Sequence, residues 1–387
     1  TVTATDGETS LVGTEVSGKW TFQIPSYGVW NITATLNGQT ATTSVSVTEV
    51  KQYTVTLTYF AATIAVTYPS GSTCTCSNGT TTLTAPNTTG SYTFTVPSAG
   101  TWTVKSTNGT DTAQQAVSIT TNGQSASVTL SYKPTASTSA KSGVNYTTGI
   151  SSLTAEKMSL YAEAISRNSA ITNTTSTVYI DDGASHYKIS VGDSINIAIN
   201  GTSYAFKIMG FNHDTLTSST AYGSATATGK AGMTLQMVDC LATAASMNGS
   251  NTNSGGWENC VMRKTNMATY LSQLTSAWQS VVKQVNKLSS AGSQSTTIKT
   301  TADKLFLLSE VEIFGSTTYS VSGEGTQYAY YKAGNSKVKN RNGSAYTWWE
   351  RSPGASNSAY FCRVGSNGDA NHYNASGSYG VAFGFCV

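Results

Sequence analysis

Gly18-Lys19-Trp20-Thr21-Phe22-Gln23-Ile24-Pro25-Ser26-Tyr27-Gly28-Val29-Trp30 returns about seventy residues later as Gly90-Ser91-Tyr92-Thr93-Phe94-Thr95-Val96-Pro97-Ser98-Ala99-Gly100-Thr101-Trp102. The match runs on from Val45-Ser46-Val47 to Val117-Ser118-Ile119, and from the segment Tyr53 to Tyr59 to the segment ending at Tyr132. A period of this length is one small domain per copy. Each segment alternates apolar and polar residues, as a strand with one buried face does. Pro-Ser-x-Gly supplies a turn, because proline fixes φ and glycine admits positive φ. The tryptophan after it can fill the space between two sheets. Asn37-Gly38, Asn108-Gly109 and Asn122-Gly123 are hairpin signals.

This pattern predicts two all-β, immunoglobulin-like sandwiches, at 1–60 and 61–133. Their low charge and Thr-rich faces suit a spacer. Residues 134–147 have no apolar period and read as a flexible linker. The rest, 148–387, changes character. Thr154 caps a helix carrying Met158, Tyr161, Ala162 and Ile165 on one face. Strands follow at 178–180, 187–189, 195–199 and 204–208, with turns at Asp182-Gly183 and Asn200-Gly201. An amphipathic helix is predicted over about 266–288, with Tyr270, Leu271, Leu274, Trp278, Val281, Val282, Val285 and Leu288 on its stripe. A central strand is predicted over 305–311. The second half is therefore read as α+β.

Composition excludes several classes of function. Of 387 residues, 11% are charged, against roughly 25% in an average soluble protein. The net charge of +3 is spread thinly, which excludes a nucleic-acid surface built on phosphate neutralisation. No apolar run reaches the roughly 18 residues of a membrane span, and no charged-then-apolar leader precedes Thr1. The histidines are His186, His213 and His372. The cysteines, Cys74, Cys76, Cys240, Cys260, Cys362 and Cys386, lack the paired spacing of a zinc site. Cys362 and Cys386 are a candidate disulfide, across a hairpin or between neighbouring strands; the alternative is that they serve as small buried hydrophobes. Asp181-Asp182-Gly183 lacks the later acidic ligands of a calcium loop. His213-Asp214 has no nucleophile partner in sequence and, as neighbours on a strand end, the two side chains are expected to point apart. No metal, cofactor or catalytic residue is expected.

The last 40 residues are read as a fixed frame behind a mosaic of unrelated side chains. Trp348, Trp349 and Arg351 are scaffold candidates, with Asp239 a candidate carboxylate for Arg351. The positions Gly354, Ala359, Tyr360, Arg363, Gly365, Asp369, His372, Tyr373, Gly377 and Tyr379 are candidate ligand-binding residues. Tyr, Ser, Gly and Asn dominate, the residue set of antibody paratopes.

From about 145 onward the chain resembles the DUF6273-type domain of bacteria and their phages, and its end resembles the variable region of a diversity-generating retroelement target. The motifs are Phe211-Asn212-His213-Asp214, Met237-Val238-Asp239-Cys240-Leu241-Ala242-Thr243, Asn253-Ser254-Gly255-Gly256-Trp257, and the segments 348–353 and 380–387. The resemblance implies a C-type-lectin-like fold for 148–387, a variable region at about 348–387, and diversification by adenine mutagenesis of Asn codons. Scrambling both adenines of such a codon never yields Lys, Glu, Gln, Met or Trp, and none of these occurs from Ser352 to Val387. Glu350 then belongs to the fixed frame. The calcium-dependent sugar motifs of true C-type lectins are absent, so that activity does not follow from the fold. A lectin-like branch resembles formylglycine-generating oxidases, but Cys362 and Cys386 lie in the wrong frame for that chemistry. The resemblance implies a hypervariable receptor-binding protein of a phage tail, located on the virion, that recognises a host cell-surface protein or glycan. Its N-terminal side would join other tail proteins, and a homo-oligomer such as a trimer would add avidity. The alternatives are a bacterial cell-surface adhesin and a virion decoration protein that binds nothing.

Overall fold

Strands make up 41% of the chain and helices 12%, so several small, mainly antiparallel sheets carry the fold. The computed structural model describes residues 1–36, 39–108, 111–183, 185–223 and 226–387. They form two units, Thr1–Tyr132 and Lys133–Val387.

In the first unit each copy of the repeat has its own apolar core. The second copy wraps two sheets around one core. Ser91–Val96, Ala62–Thr67 and Ser125–Thr129 form one sheet; Asp111–Ile119, Gly100–Asn108, Thr73–Ser77 and Thr82–Thr84 form the other. The first copy has one four-stranded sheet, in the order Ser10–Val12, Val2–Thr5, Gly28–Leu36 and Gln39–Val47, and a separate hairpin of Thr14–Val16 with Lys19–Thr21. The Pro-Ser-x-Gly turn is the same in both copies, with φ of 140° at Gly28 and 136° at Gly100. Those values lie in the region that glycine alone adopts without strain. The turn lets the buried indole of Trp30 donate to Ser26 O at 3.2 Å, and that of Trp102 to Ser98 O at 3.1 Å.

Leu36 pairs with Gln39, and Asn108 with Asp111, across two hairpins; Asn37, Gly38 and Gly109 themselves lie outside the described residues. Asn122-Gly123 is not a hairpin turn. It carries the chain from Asp111–Ile119 in one sheet to Ser125–Thr129 in the other, which runs parallel to Ala62–Thr67. The Ala61 N–H donates to Asn122 Oδ1 at 2.7 Å and pins the turn to the start of that strand.

The second unit takes in the whole of the expected linker, 134–147. Thr135–Ser137 is a strand paired with Thr177–Asp181. Arg167 donates to Pro134 O at 3.0 Å and Asn168 to Ala136 O at 2.8 Å. These side-chain contacts leave no signature in local composition, so the segment reads as flexible and is docked. The helix Ala155–Arg167 starts where Thr154 accepts from the Lys157 N–H. The four expected strands are present as Thr177–Asp181, His186–Ser190, Ser194–Ile199 and Thr202–Phe211. Asn200 and Gly201 both have positive φ, the conformation of a tight two-residue hairpin.

The long helix over 266–288 does not form. Met267–Gln273 and Ser276–Val281 are separate helices, broken where Leu274 and Thr275 turn extended, and Val285–Ser290 is a strand. In that strand Val285, Lys287 and Ser289 are buried. The true period is two, hidden because a lysine and a serine occupy core positions. The strand expected at 305–311 ends early. Leu305–Phe306 is strand, and Ser309 with Glu312 forms a capping box that starts the helix Glu310–Phe314.

The main sheet of this unit has the order Ser194–Ile199, Thr202–Phe211, Met233–Met237, Gly384–Cys386 and Leu305–Phe306. The last residues of the chain thus lie inside a sheet, and 380–387 are buried throughout. A three-stranded sheet, Trp348–Pro353, Tyr360–Val364 and Ala370–Asn374, carries the candidate face. No helix among the described residues is long and apolar enough to cross a membrane.

Candidate ligand-binding face

Every residue of the strand Trp348–Pro353 is buried. The Trp348 indole donates to Lys337 O at 3.0 Å and the Trp349 indole to Ala245 O at 2.8 Å. Arg351 is fully buried and its carboxylate partner is Glu312, with Nη2 to Oε1 at 2.8 Å. Asp239 is not that partner; it accepts instead from the Asn340 N–H at 2.7 Å. Arg351 also donates to Leu288 O and Leu307 O at 3.0 Å and to Glu324 O at 2.8 Å.

Glu312 links Arg351 to a second cation. Lys287 Nζ lies 2.7 Å from Glu312 and 2.6 Å from Asp214, and Tyr328 OH donates to Asp214 at 2.8 Å. Two cations and two carboxylates alternate, so the buried charges cancel locally. Against the cost of burial, Lys287 and His213 hold the Asp214 carboxyl well below its usual range, and Arg351 with Lys287 lowers that of Glu312. His213 Nδ1 lies 3.5 Å from Asp214 Oδ1, so these neighbours meet rather than point apart. The His213 ring stacks on Tyr328 with centroids 3.9 Å apart, and its Nε2 reaches Thr326 O at 2.9 Å. This chain of partners reads as framework.

Two further carboxylates fix the loops beside the face. Glu310 accepts from the backbone of Tyr319 at 3.0 Å and of Ser320 at 2.7 Å. Asn253, buried within the Asn253–Trp257 motif, donates to Tyr360 O at 2.7 Å and Asn357 O at 2.9 Å and accepts from Ser293 N at 2.7 Å. Sequence reasoning gave neither residue a structural role; the carbonyls that Asn253 clasps lie 104 and 107 positions on, and Glu310 acts on backbone nine and ten positions on. Glu324 accepts from Ser290 N at 2.6 Å and from the Ser352 hydroxyl. Glu350 differs: both its oxygens are buried without a partner among the described residues, and burial pushes its carboxyl far above the usual range.

On this frame sit half of the candidate ligand-binding residues. Arg363 lies over the rings of Tyr373 and Tyr379, at 4.5 and 4.3 Å from their centroids. Tyr360 lies 4.9 Å from His372 and 6.3 Å from Tyr373, parallel to the latter. Tyr379 meets Tyr373 edge-on at 5.7 Å and Trp349 at 5.1 Å. Tyr319, not singled out from sequence, joins through His372 at 4.3 Å. Tyr360, Arg363, His372 and Tyr379 are half-buried and Tyr373 is 43% exposed. Arg363 Nε and His372 Nδ1 have no hydrogen-bond partner among the described residues. Burial lowers the His372 pKa, which leaves the ring neutral at pH 7.

The other candidates add no ring or guanidinium to this cluster, although Gly377 packs against Tyr373 and Tyr379 and Gly354 against Tyr360. Asp369 is exposed and accepts from Asn367 at 2.6 Å. Gly354 and Gly365 are buried, their N–H groups donating to Tyr360 O at 2.9 Å and Asp369 O at 2.8 Å. Ala359 and Gly377 are half-buried. The candidate disulfide is not formed. All six cysteines are free and buried, with Cys362 in the three-stranded sheet and Cys386 in the main sheet. Among the described residues no cluster of three or more His, Cys, Asp or Glu side chains is arranged to hold a metal ion.

Residues 231–387 match the model of a domain of unknown function, DUF6273; the match covers the face and all of the frame except His213 and Asp214. The match starts well after the position near 145 where the resemblance was placed. No curated protein matches the chain.

Proposed function

We propose that the chain is a receptor-binding protein of a phage tail. Its C-terminal region would be C-type-lectin-like and would recognise a host cell-surface ligand through a diversified face, with the two repeats as an immunoglobulin-like spacer. The observation that carries this reading is the convergence of Tyr360, Arg363, His372, Tyr373 and Tyr379 into one half-exposed cluster. Rigid tyrosine rings give contact area at small entropic cost. The backbone at 354, 357 and 360 is tied to Asn253, outside the variable stretch, so side chains can change without loss of the fold. The residue set from Ser352 to Val387 fits adenine-directed diversification, and the surface available to it is 355–379.

The test is binding of fluorescently labelled full-length chain to a panel of bacterial strains, followed by exchange of residues 355–379 for those of a sister copy of the gene. The proposal requires the strain preference to follow the exchanged segment. Binding that persists unchanged after the exchange refutes it.

A further inference from the structure

The chain has five arginines, and Arg363 differs from the other four. Arg351 and Arg263 bond to the carboxylates of Glu312 and Asp303. Arg167 donates to Pro134 O and Arg341 to Ala242 O. Arg363 alone meets no oxygen acceptor among the described residues. Its Nε is buried without a partner, while Nη1 and Nη2 are not sealed from solvent and donate to nothing in the described chain.

A half-buried guanidinium gives up part of its hydration, which costs free energy unless an acceptor replaces the lost water. Two rings supply part of that replacement. The guanidinium carbon lies 4.5 Å from the ring centroid of Tyr373 and 4.3 Å from that of Tyr379, within reach of cation–π attraction. Ring contact restrains the cation but satisfies none of its N–H donors. The hydroxyls of Tyr360, Tyr373 and Tyr379 are likewise without a hydrogen bond among the described residues and are not sealed from solvent. No nearby carboxylate answers these donors. Asp369, in the turn after the strand Tyr360–Val364, accepts from Asn367. Glu310, whose charge is felt at His372, has its oxygens taken by Tyr319 and Ser320.

We propose that this face takes an oxyanion, the carboxylate or phosphate of an acidic cell-surface glycan, and that Arg363 is the residue that binds it. The inference rests on the reading of the face as a ligand-binding surface and adds the chemical class of the ligand. A guanidinium fork bonds a carboxylate or phosphate through two N–H donors, more strongly than a neutral pair does. The rings hold that fork in place before the ligand arrives, which lowers the ordering cost of binding. A sugar is favoured over an acidic peptide as the carrier. The exposed ring of Tyr373 beside the fork offers a flat apolar surface to the C–H face of a pyranose, and the free tyrosine hydroxyls suit sugar hydroxyls. Arg363 lies in the stretch read as variable, so the preference belongs to this version of the face.

The experiment is an NMR titration of the full chain, isotope-labelled at its tyrosine rings, with galacturonate, inorganic phosphate and uncharged galactose as probes. Tyr373→Phe and Tyr379→Phe assign the signals. Galacturonate or phosphate should shift both rings with a dissociation constant of about 1–10 mM, and galactose should act at least about tenfold more weakly. The acid that acts at the lower concentration identifies the source of the oxyanion. Arg363→Lys should weaken the response about tenfold, and Arg363→Gln should abolish it. No response to either acid, an equal response to galactose, or a response undiminished in Arg363→Gln overturns the proposal. Protease treatment of a recognised strain that abolishes binding overturns the glycan as carrier. Exchange of 355–379 tests the face separately: a strain preference that follows the segment while the acids shift nothing removes the oxyanion and leaves the face.

Discussion

Arg351→Met tests whether the buried ion chain holds the frame. Arg351 is fully buried, joins Glu312 through both guanidinium Nη atoms and donates to three backbone carbonyls. Methionine fills much of the same volume but leaves Glu312 with Lys287 as its remaining cation. Removing one partner of a buried pair costs about 3–5 kcal/mol. Carbonyls left without donors add about 1 kcal/mol or more. A loss of about 4–6 kcal/mol is expected, against the roughly 5–15 kcal/mol that holds a typical domain. Arg351→Lys keeps the charge but not the fork, and its loss should be about half as large. The assay is urea unfolding of the full chain, followed by hydrogen exchange in peptides covering 348–364. The variants should rank wild type, Lys, then Met in stability. A loss under about 1 kcal/mol for Met refutes the idea that this network fixes the strand.

Glu350→Gln should be more stable than wild type, and the gap should widen with pH. The folded-state pKa of Glu350 is raised, so wild type loses stability as pH rises above 4.5 towards that value; parallel pH curves for the two proteins contradict this. Asp214 and Glu312 are lowered, so their contribution holds above pH 4.5 and is lost as pH falls through their folded values; circular dichroism should show acid unfolding that begins below pH 4. Asn253→Ala removes the donor that clasps 357–360 and should cost about 2–4 kcal/mol, with faster hydrogen exchange across 354–360. Arg363→Ala and Tyr373→Ala should change stability by under about 1 kcal/mol while weakening cell binding at least tenfold. Burial raises the cysteine thiols, with Cys240 and Cys260 pushed up to about 12; iodoacetamide should label none of the six in the native chain and all six, without prior reduction, after unfolding.

The repeat was legible because its pattern is local. Trp30 and Trp102, the Pro-Ser-x-Gly turn and strict alternation all act within a few residues. The candidate face was legible by residue type, and five of its members meet. What sequence could not show was long-range satisfaction of polar groups. Lys287 in a core position disguised a strand as a helix, and Arg351 found Glu312 rather than Asp239. The clasp of Asn253 on 357–360 has no local signal. The Ser309–Glu312 capping box was visible and overlooked, because the apolar run before it read as a strand that continues. The supposed linker failed for the opposite reason: polar composition hid a strand whose partners lie about 40 residues on.

The most direct test is the sequence of this gene in many members of one natural population. A rigid frame with a changeable surface predicts differences concentrated within 355–379, at the face positions Tyr360, Arg363, His372, Tyr373 and Tyr379, with Trp348, Trp349, Arg351 and 380–387 constant. Differences spread evenly along the chain, or equally frequent at the buried frame positions, would contradict it.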